Sequence, residues 1–321
     1  MLTAADAEFH HTKDSPWEWC ETNLFAFYIP EARINGTIYM CARPIVGAAM
    51  ADITIQDRLT SSWHDQLYID NQQHMPCPES LLDYSLPNGL HVKAVEPLKY
   101  YRIDYIGNDN TELHLDYHLF AGPFDINDPA MDPMAEKRLG SAWDQAMRGH
   151  YEVTGHVTGE AIIRGKKYNV DCVETGDRSW GPRKETGNRN TVWLHGSYGK
   201  DLTFHLFAEA DPARSEEHGE LISGFVLENG QYYGLTEIKG RTERRYHMPM
   251  STECELVDVR GKRFHLTGSA INSGAWAPFP AMVYYQSFMR WNLDGKIGYG
   301  AQIDSSNVEY ITKNRDLLLT R

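Results

Sequence analysis

The chain has 321 residues, 41% of them hydrophobic and 12% aromatic, with a formal net charge of −13. That is enough length for two domains and enough apolar content for a real core. The acidic balance excludes a nucleic-acid binder and docking on an anionic membrane, because no basic excess is available to displace counterions.

Taken in order, Met1 to Ser15 is a polar, acidic lead-in, unlike a signal or transit peptide. Short strands follow at Leu24 to Ile29, at Gly36 to Cys41 after an Asn35-Gly36 turn, and at Ala51 to Gln56. Residues 70–88, rich in Asn, Gln, Pro and Ser, read as a loop before a strand at His91 to Val95. Tyr100 to Ile106 and Thr111 to Phe120 form the clearest hairpin. Tyr101, Ile103 and Tyr105 share one face with Leu113, Leu115, Tyr117 and Leu119, and charged residues fill the other. That charged face includes His114, Asp116 and His118, which have a metal-ligand spacing; a uniformly charged face is more often solvated, and no metal is assigned. One helix is predicted over Pro133 to Arg148, with Asp132 as its cap and Gly149 as its end.

Strands resume at Tyr151 to Val157, Glu160 to Arg164 and Tyr168 to Val173. The polar connector Lys184 to Asn190 divides the chain into domains 1–187 and 188–321. Eight strands then follow: Thr191 to Tyr198, Leu202 to Glu209, Leu221 to Glu228, Gln231 to Ile238, Glu253 to Val259, Arg263 to Ala270, Tyr284 to Asn292 and Gly298 to Ser305. Many short strands with almost no helix indicate barrels or sandwiches. No apolar run reaches the roughly 18 residues of a spanning helix. The five cysteines, Cys20, Cys41, Cys77, Cys172 and Cys254, are scattered and odd in number, which fits a reduced, cytoplasmic protein.

The stretch Glu174-Thr175-Gly176-Asp177-Arg178-Ser179-Trp180-Gly181-Pro182-Arg183 packs an acid, two arginines and a tryptophan between turn-forming residues. Its lead-in has an echo: Arg164-Gly165-Lys166 matches Arg260-Gly261-Lys262, 96 positions on, and in both copies a Trp lies 15 residues after the Gly, as Trp180 and Trp276. A duplicated β-domain accounts for this. Only the first copy carries the charged insert Asp177-Arg178.

The run Gly165-Lys166-Lys167-Tyr168-Asn169-Val170 followed by Asp177-Arg178-Ser179-Trp180-Gly181-Pro182-Arg183 resembles the signature of the tandem lipocalin-like family that includes carotenoid 1,2-hydratase (hydroxyneurosporene synthase). The resemblance implies an all-β fold of two tandem lipocalin-like (calycin) antiparallel β-barrels, here with one short helix, and a mostly apolar cavity. Family hydratases read Asp-His-x-Trp-Gly where this chain has Asp177-Arg178-Ser179-Trp180-Gly181. Arg cannot donate a proton at ordinary pH.

These residues suggest a chemistry. Buried beside aromatic faces, Asp177 would have a raised pKa and serve as an acid, with Arg178 or Arg183 as its partner; the competing reading is a structural salt bridge. Trp180, Trp193, Tyr198 and Trp276 are candidates to stabilise a developing carbocation. His195 is the candidate replacement proton donor, against a plain hydrogen-bonded barrel histidine. His205 and Glu209, four apart on one strand, share a face and are candidate substrate contacts. No P-loop, G-x-S-x-G or H-E-x-x-H motif occurs, and no cofactor is implied. The expected function is a cofactor-independent lyase, hydratase, isomerase or cyclase acting on a hydrophobic small molecule near the domain junction. The alternative is a non-catalytic carrier of such a ligand. A homo-oligomer is compatible with the sequence but not required by it.

Overall fold

The computed structural model describes residues 2–184, 190–279 and 281–319. The first part of the chain builds one antiparallel sheet from β1 (Trp19–Ile29), β2 (Ile34–Arg43), β3 (Ala48–Gln56), β4 (Tyr68–Pro76), β5 (Asp83–Ser85), β6 (Leu90–Glu96), β7 (Tyr100–Ile106), β8 (Glu112–Leu119), β9 (Phe124–Asp125), β10 (Gly149–Ile163) and β11 (Lys166–Pro182). Its order is β4-β3-β2-β1-β11-β10-β8-β7-β6-β5, with β9 also on β10, so it is an open half-barrel. The second part closes into an eight-stranded barrel: β12 (Thr191–Ser197), β13 (Leu202–Ala210), β14 (His218–Glu228), β15 (Gln231–Arg245), β16 (Met248–Asp258), β17 (Arg263–Phe279), β18 (Met282–Leu293) and β19 (Lys296–Asn307). The expected all-β fold of two lipocalin-like units is therefore present, one of them closed. The expected boundary at 187/188 lies outside the described residues. No helix among the described residues is long and apolar enough to cross a membrane.

Side-chain alternation assigns each strand two faces. Val192, Leu194, Phe204, Leu206, Val226, Leu256, Leu266 and Trp291 fill the barrel. Phe25, Phe27, Ile38, Met40, Ile53, Ile55, Ile103 and Tyr117 belong to the core of the first sheet. The intervening residues Cys20, Leu24, Tyr39 and Cys41 on the sheet meet Trp193, Phe207, Trp276 and Ile303 on the barrel in a third apolar layer. Polar clasps fix the junction: Thr37 Oγ1 donates to Gln286 Oε1 at 3.1 Å, and Asn272 Nδ2 to the carbonyls of Arg33 (2.7 Å) and Gln56 (3.2 Å).

The hairpin β7–β8 pairs as expected, Ile103 opposite Leu115. Its charged face ties its own residues together: His114 to Asp104 at 2.8 Å, Asp116 to Tyr100 at 2.6 Å, and His118 stacked on Tyr100 at 4.1 Å. The echoed glycines Gly165 (φ 81°) and Gly261 (φ 76°) turn two like hairpins, each leading into a strand of 17 residues.

Four expectations are corrected. Residues 70–88 contain β5 and most of β4. Asn35-Gly36 lies within β2; the turn is made by Pro30–Ala32 and Arg33 (φ 58°), and Gly36 is where the Phe27 ring leaves no room for a Cβ. The helix expected over Pro133 to Arg148 is two pieces, α1 (Ala135–Arg138) and α2 (Ala142–Ala146), because Leu139 is extended (ψ 127°) and Gly140 is left-handed (φ 75°). A further helix, α3 (Val308–Leu318), follows β19, capped by Asn307, whose side chain accepts from the Glu309 N–H at 2.8 Å.

The segment carrying α1 and α2 straps the two sheets together. Arg138, buried, donates to Asp132 Oδ2 at 2.8 Å and to the carbonyls of Ile126 and Ile222, while Ser223 Oγ on β14 donates to the same Asp132 oxygen at 2.6 Å. Arg138→Ala strands a buried carboxylate and should cost about 3–5 kcal/mol in urea denaturation. A loss under about 1 kcal/mol, the scale of an exposed pair, would mean the strap is held by its apolar contacts.

Candidate functional site

A cavity of about 360 Å³ lies between the sheet, the barrel and the strap. Tyr39 comes from β2; Trp193 and Phe207 from β12 and β13; Trp276 from β17; Tyr284 from β18; Met134 and Trp143 from the strap. The rings form two contacting groups. Phe207 meets Trp143 at 5.2 Å and Trp193 at 5.3 Å, and Trp276 stands edge-on between Tyr284 (4.8 Å) and Tyr39 (5.5 Å).

The polar floor comes from two paired strands. In register, His150 lies opposite Ser179 and Glu152 opposite Asp177. The stretch 174–183, for all its turn-forming residues, mostly continues β11, which runs to Pro182, and it alternates. Asp177, Ser179 and Arg183 reach the cavity, whereas Arg178 and Trp180 point to the other face.

Asp177 accepts no hydrogen bond from any described residue. Burial, reinforced by the charge of Glu152, pushes its carboxyl up to about 7, against the pull of His150, Arg183 and Arg178. Glu152 is the opposite case. Burial opposes its ionisation, but the imidazoles of His205 and His150 outweigh that and hold it at about 2. His150 Nε2 is hydrogen-bonded to Glu152 Oε1, leaving His150 Nδ1 without a partner among the described residues. His205 Nε2 sits 2.5 Å from Trp193 Nε1 and 3.1 Å from Glu152 Oε2. That nitrogen accepts from the indole when the ring is neutral and donates to the carboxylate when it is charged. Burial favours the neutral ring.

His150, Glu152 and Asp177 present ligand atoms within 4.8 Å of one another, a set that could hold a divalent cation. His150 and Glu152 direct those atoms at each other instead.

Of the residues singled out from sequence, the structure brings Asp177, Trp193, Glu209 and Trp276 to the cavity wall. His205 lies directly behind Trp193. His195 does not line the cavity; it pairs with Glu174 at 3.0 Å beside a separate void of about 10 Å³. Arg178 is buried against Glu21 at 2.6 Å, Trp180 stacks on His10 at 3.6 Å, and Tyr198 packs on Phe204 beside the barrel core. Sequence reasoning missed His150, Glu152, Tyr39 and Trp143, and of the two arginines offered as partners of Asp177 it is Arg183 that lines the cavity. The His150-x-Glu152 alternation at the start of an apolar strand was the available signal; Gly149, the first residue of that strand, had been taken as the end of the expected helix.

A family model described as a domain of unknown function, DUF7064, matches residues 3–307. No curated protein matches the chain in sequence. Among solved structures, kievitone hydratase from Nectria haematococca superposes with a TM-score of 0.57 at 13% identity, over 91% of this chain and 89% of that one. A putative AttH from Nitrosomonas europaea gives 0.59 at 14%, over 90% and 91%. CghA gives 0.50 at 11%, over 90% and 88%. The chain thus shares its fold with a hydratase.

Because Arg178 faces Glu21, Arg178→Met should destabilise the protein by about 3–5 kcal/mol yet leave the Kd of an apolar fluorescent probe in the cavity within twofold. Trp276→Ala should weaken that probe. A tenfold loss of probe affinity in Arg178→Met would put Arg178 in the site after all.

Proposed function

The chain belongs to the DUF7064 family, and we propose that it is a cofactor-independent lyase or hydratase, or an isomerase or cyclase of related chemistry, acting on a hydrophobic small molecule in the junction cavity. One observation carries the reading. An unbonded carboxyl, Asp177, with its pKa lifted to about 7, stands in an aromatic-walled cavity beside a His150–Glu152 pair. An acid near neutrality and a base close to it are what proton-transfer catalysis needs.

For water addition the steps balance as follows. Neutral Asp177 donates its proton to one carbon of an alkene, and the cation left on the other carbon faces the rings of Trp193, Trp276 and Tyr39. Water adds to that carbon and loses a proton to His150 Nδ1, whose Nε2–H is held by Glu152. The imidazolium returns the proton to Asp177. Elimination is the same sequence reversed. Loss of a proton from the adjacent carbon instead gives an isomer, and attack by an internal nucleophile gives a ring. The fold shared with kievitone hydratase supports water chemistry as the first reaction to test.

The purified protein should be incubated with a lipophilic extract of its host and followed by mass spectrometry. A compound that gains or loses one water, or isomerises, supports catalysis; a compound retained and returned unchanged would make the protein a carrier. With a substrate in hand, Asp177→Asn and His150→Ala should each lower kcat by at least about a hundredfold with ligand affinity nearly unchanged.

The pH dependence has a definite sign. The folded pKa of Asp177 is raised to about 7 from a usual value near 4, so its neutral form suits the fold. Stability from this group is complete below about pH 4 and is lost progressively as pH rises to about 7. Activity that uses it as an acid falls over the upper end of that range. Asp177→Asn should therefore flatten the decline in stability between about pH 4 and 7, measured as the denaturation midpoint across pH. An unchanged slope would show that the carboxyl titrates normally.

A further inference from the structure

Arg183, just past the end of β11, also lines the cavity, and the proposed reaction gives it no task. The described residues offer its guanidinium two contacts: Ser179 Oγ, and Met147 Sδ at 3.1 Å. Neither is a carboxylate, and no described carboxylate lies within ion-pairing distance. Its Nε is buried without a hydrogen-bond partner, as are Trp276 Nε1 and Trp143 Nε1 in the same wall. The three nitrogens leave the cavity lining with unmatched donors, one of them carrying a positive charge. The other enclosed arginines each pair with a carboxylate, Arg178 with Glu21, Arg138 with Asp132 and Arg244 with Asp304, although Arg178 Nε is likewise without a hydrogen-bond partner. A guanidinium in a largely apolar wall without an anion is costly, unless the anion arrives with the ligand.

We propose that the ligand of this cavity is an amphipathic anion, an apolar body carrying a carboxylate, with the carboxylate seated on Arg183. This rests on the cavity being the ligand site, as argued above, and narrows the substrate class. A planar fork of N–H donors fits a carboxylate in two-point contact, and the aromatic wall takes the body. Seating the anion on Arg183 fixes which carbon faces Asp177, since both residues line the same cavity. Lys137 on the strap also lines the cavity and adds to the attraction for an anion. Glu209 and Glu220 line it too, on the barrel strands, and set a limit to that attraction. The internal competitor is Cys20. Its thiol is drawn down to about 6, first by a hydrogen bond with Cys41 and then by the charge of Arg183. A Cys20 thiolate would answer the guanidinium without any ligand.

The test uses a neutral fluorescent reporter, N-phenylnaphthylamine, bound to the full chain at pH 6 and displaced by naphthaleneacetate or by naphthaleneacetamide. The two competitors share an apolar body and differ in charge. Wild type should prefer the carboxylate roughly ten- to a hundredfold, the worth of a charge-assisted hydrogen bond to a partly buried group. Arg183→Met should abolish the preference by weakening the carboxylate alone, and Arg183→Lys should keep part of it. Equal displacement by both compounds in wild type overturns the proposal and leaves Cys20 as the counter-ion; because it needs no variant, that result stands even if Arg183→Met fails to fold. Equal weakening of both compounds in Arg183→Met also overturns it, making Arg183 a packing residue. Failure of the reporter itself to bind, or binding insensitive to Trp276→Ala, would instead sink the cavity as the ligand site.

Discussion

The structure depends on one constraint: a β-strand side chain can face only one way, and its neighbour must face the other. Along β12 and β13, Val192, Leu194, Phe204 and Leu206 fill the barrel, which sends Trp193, His195, His205 and Phe207 outward. Along β1 and β2 the same rule sends Phe25, Phe27, Ile38 and Met40 into the core of the first sheet and turns Leu24, Tyr39 and Cys41 toward the barrel. Both interiors are packed, so the cavity lies between the two units. Two curved surfaces do not mate everywhere, and the strap with Trp143 and Met134 covers the gap that remains.

The electrostatics follow from that enclosure. Glu152 and Asp177 face each other across one strand pair, with ligand atoms within 4.8 Å. Two charges at that spacing repel by about 3–4 kcal/mol at an effective dielectric near 20, which is more than two pKa units. Both cannot stay ionised cheaply beside an apolar wall. The imidazoles of His150 and His205 lie against Glu152 and settle which one keeps its charge, so Asp177 takes the proton. Burial supplies the larger share of the shift and the neighbouring charge the remainder.

Much of the fold was legible because alternation and turn chemistry are local. The eight barrel strands and the β7–β8 hairpin announce themselves over a few residues. The site was legible only in part. Asp177, Trp193, Glu209 and Trp276 stand out as unusual residues in strand context, whereas His150 and Tyr39 acquire meaning only when distant strands are laid side by side. The helix strap misled for a physical reason. Its apolar spacing suits a single helix, yet Leu139-Gly140 breaks it so that Arg138 can reach the carbonyls of Ile126 and Ile222. Tertiary contact overrode local preference there.

The central stretch shows how one strand can serve both fold and site. Its even positions, Arg178 and Trp180, lock onto Glu21 and His10 and pin the amino-terminal lead-in to the first sheet. Its odd positions, Asp177, Ser179 and Arg183, furnish the cavity. This bears on the departure from the Asp-His-x-Trp-Gly pattern. In this chain position 178 faces Glu21, so an arginine there changes how a buried carboxylate is neutralised and leaves the cavity floor as it is. Arg binds a carboxylate through a permanent charge, whereas His would do so only when protonated. The arginine therefore keeps the Glu21 pairing charged through neutral pH, and Asp177 and His150 stay on the opposite face, at the cavity.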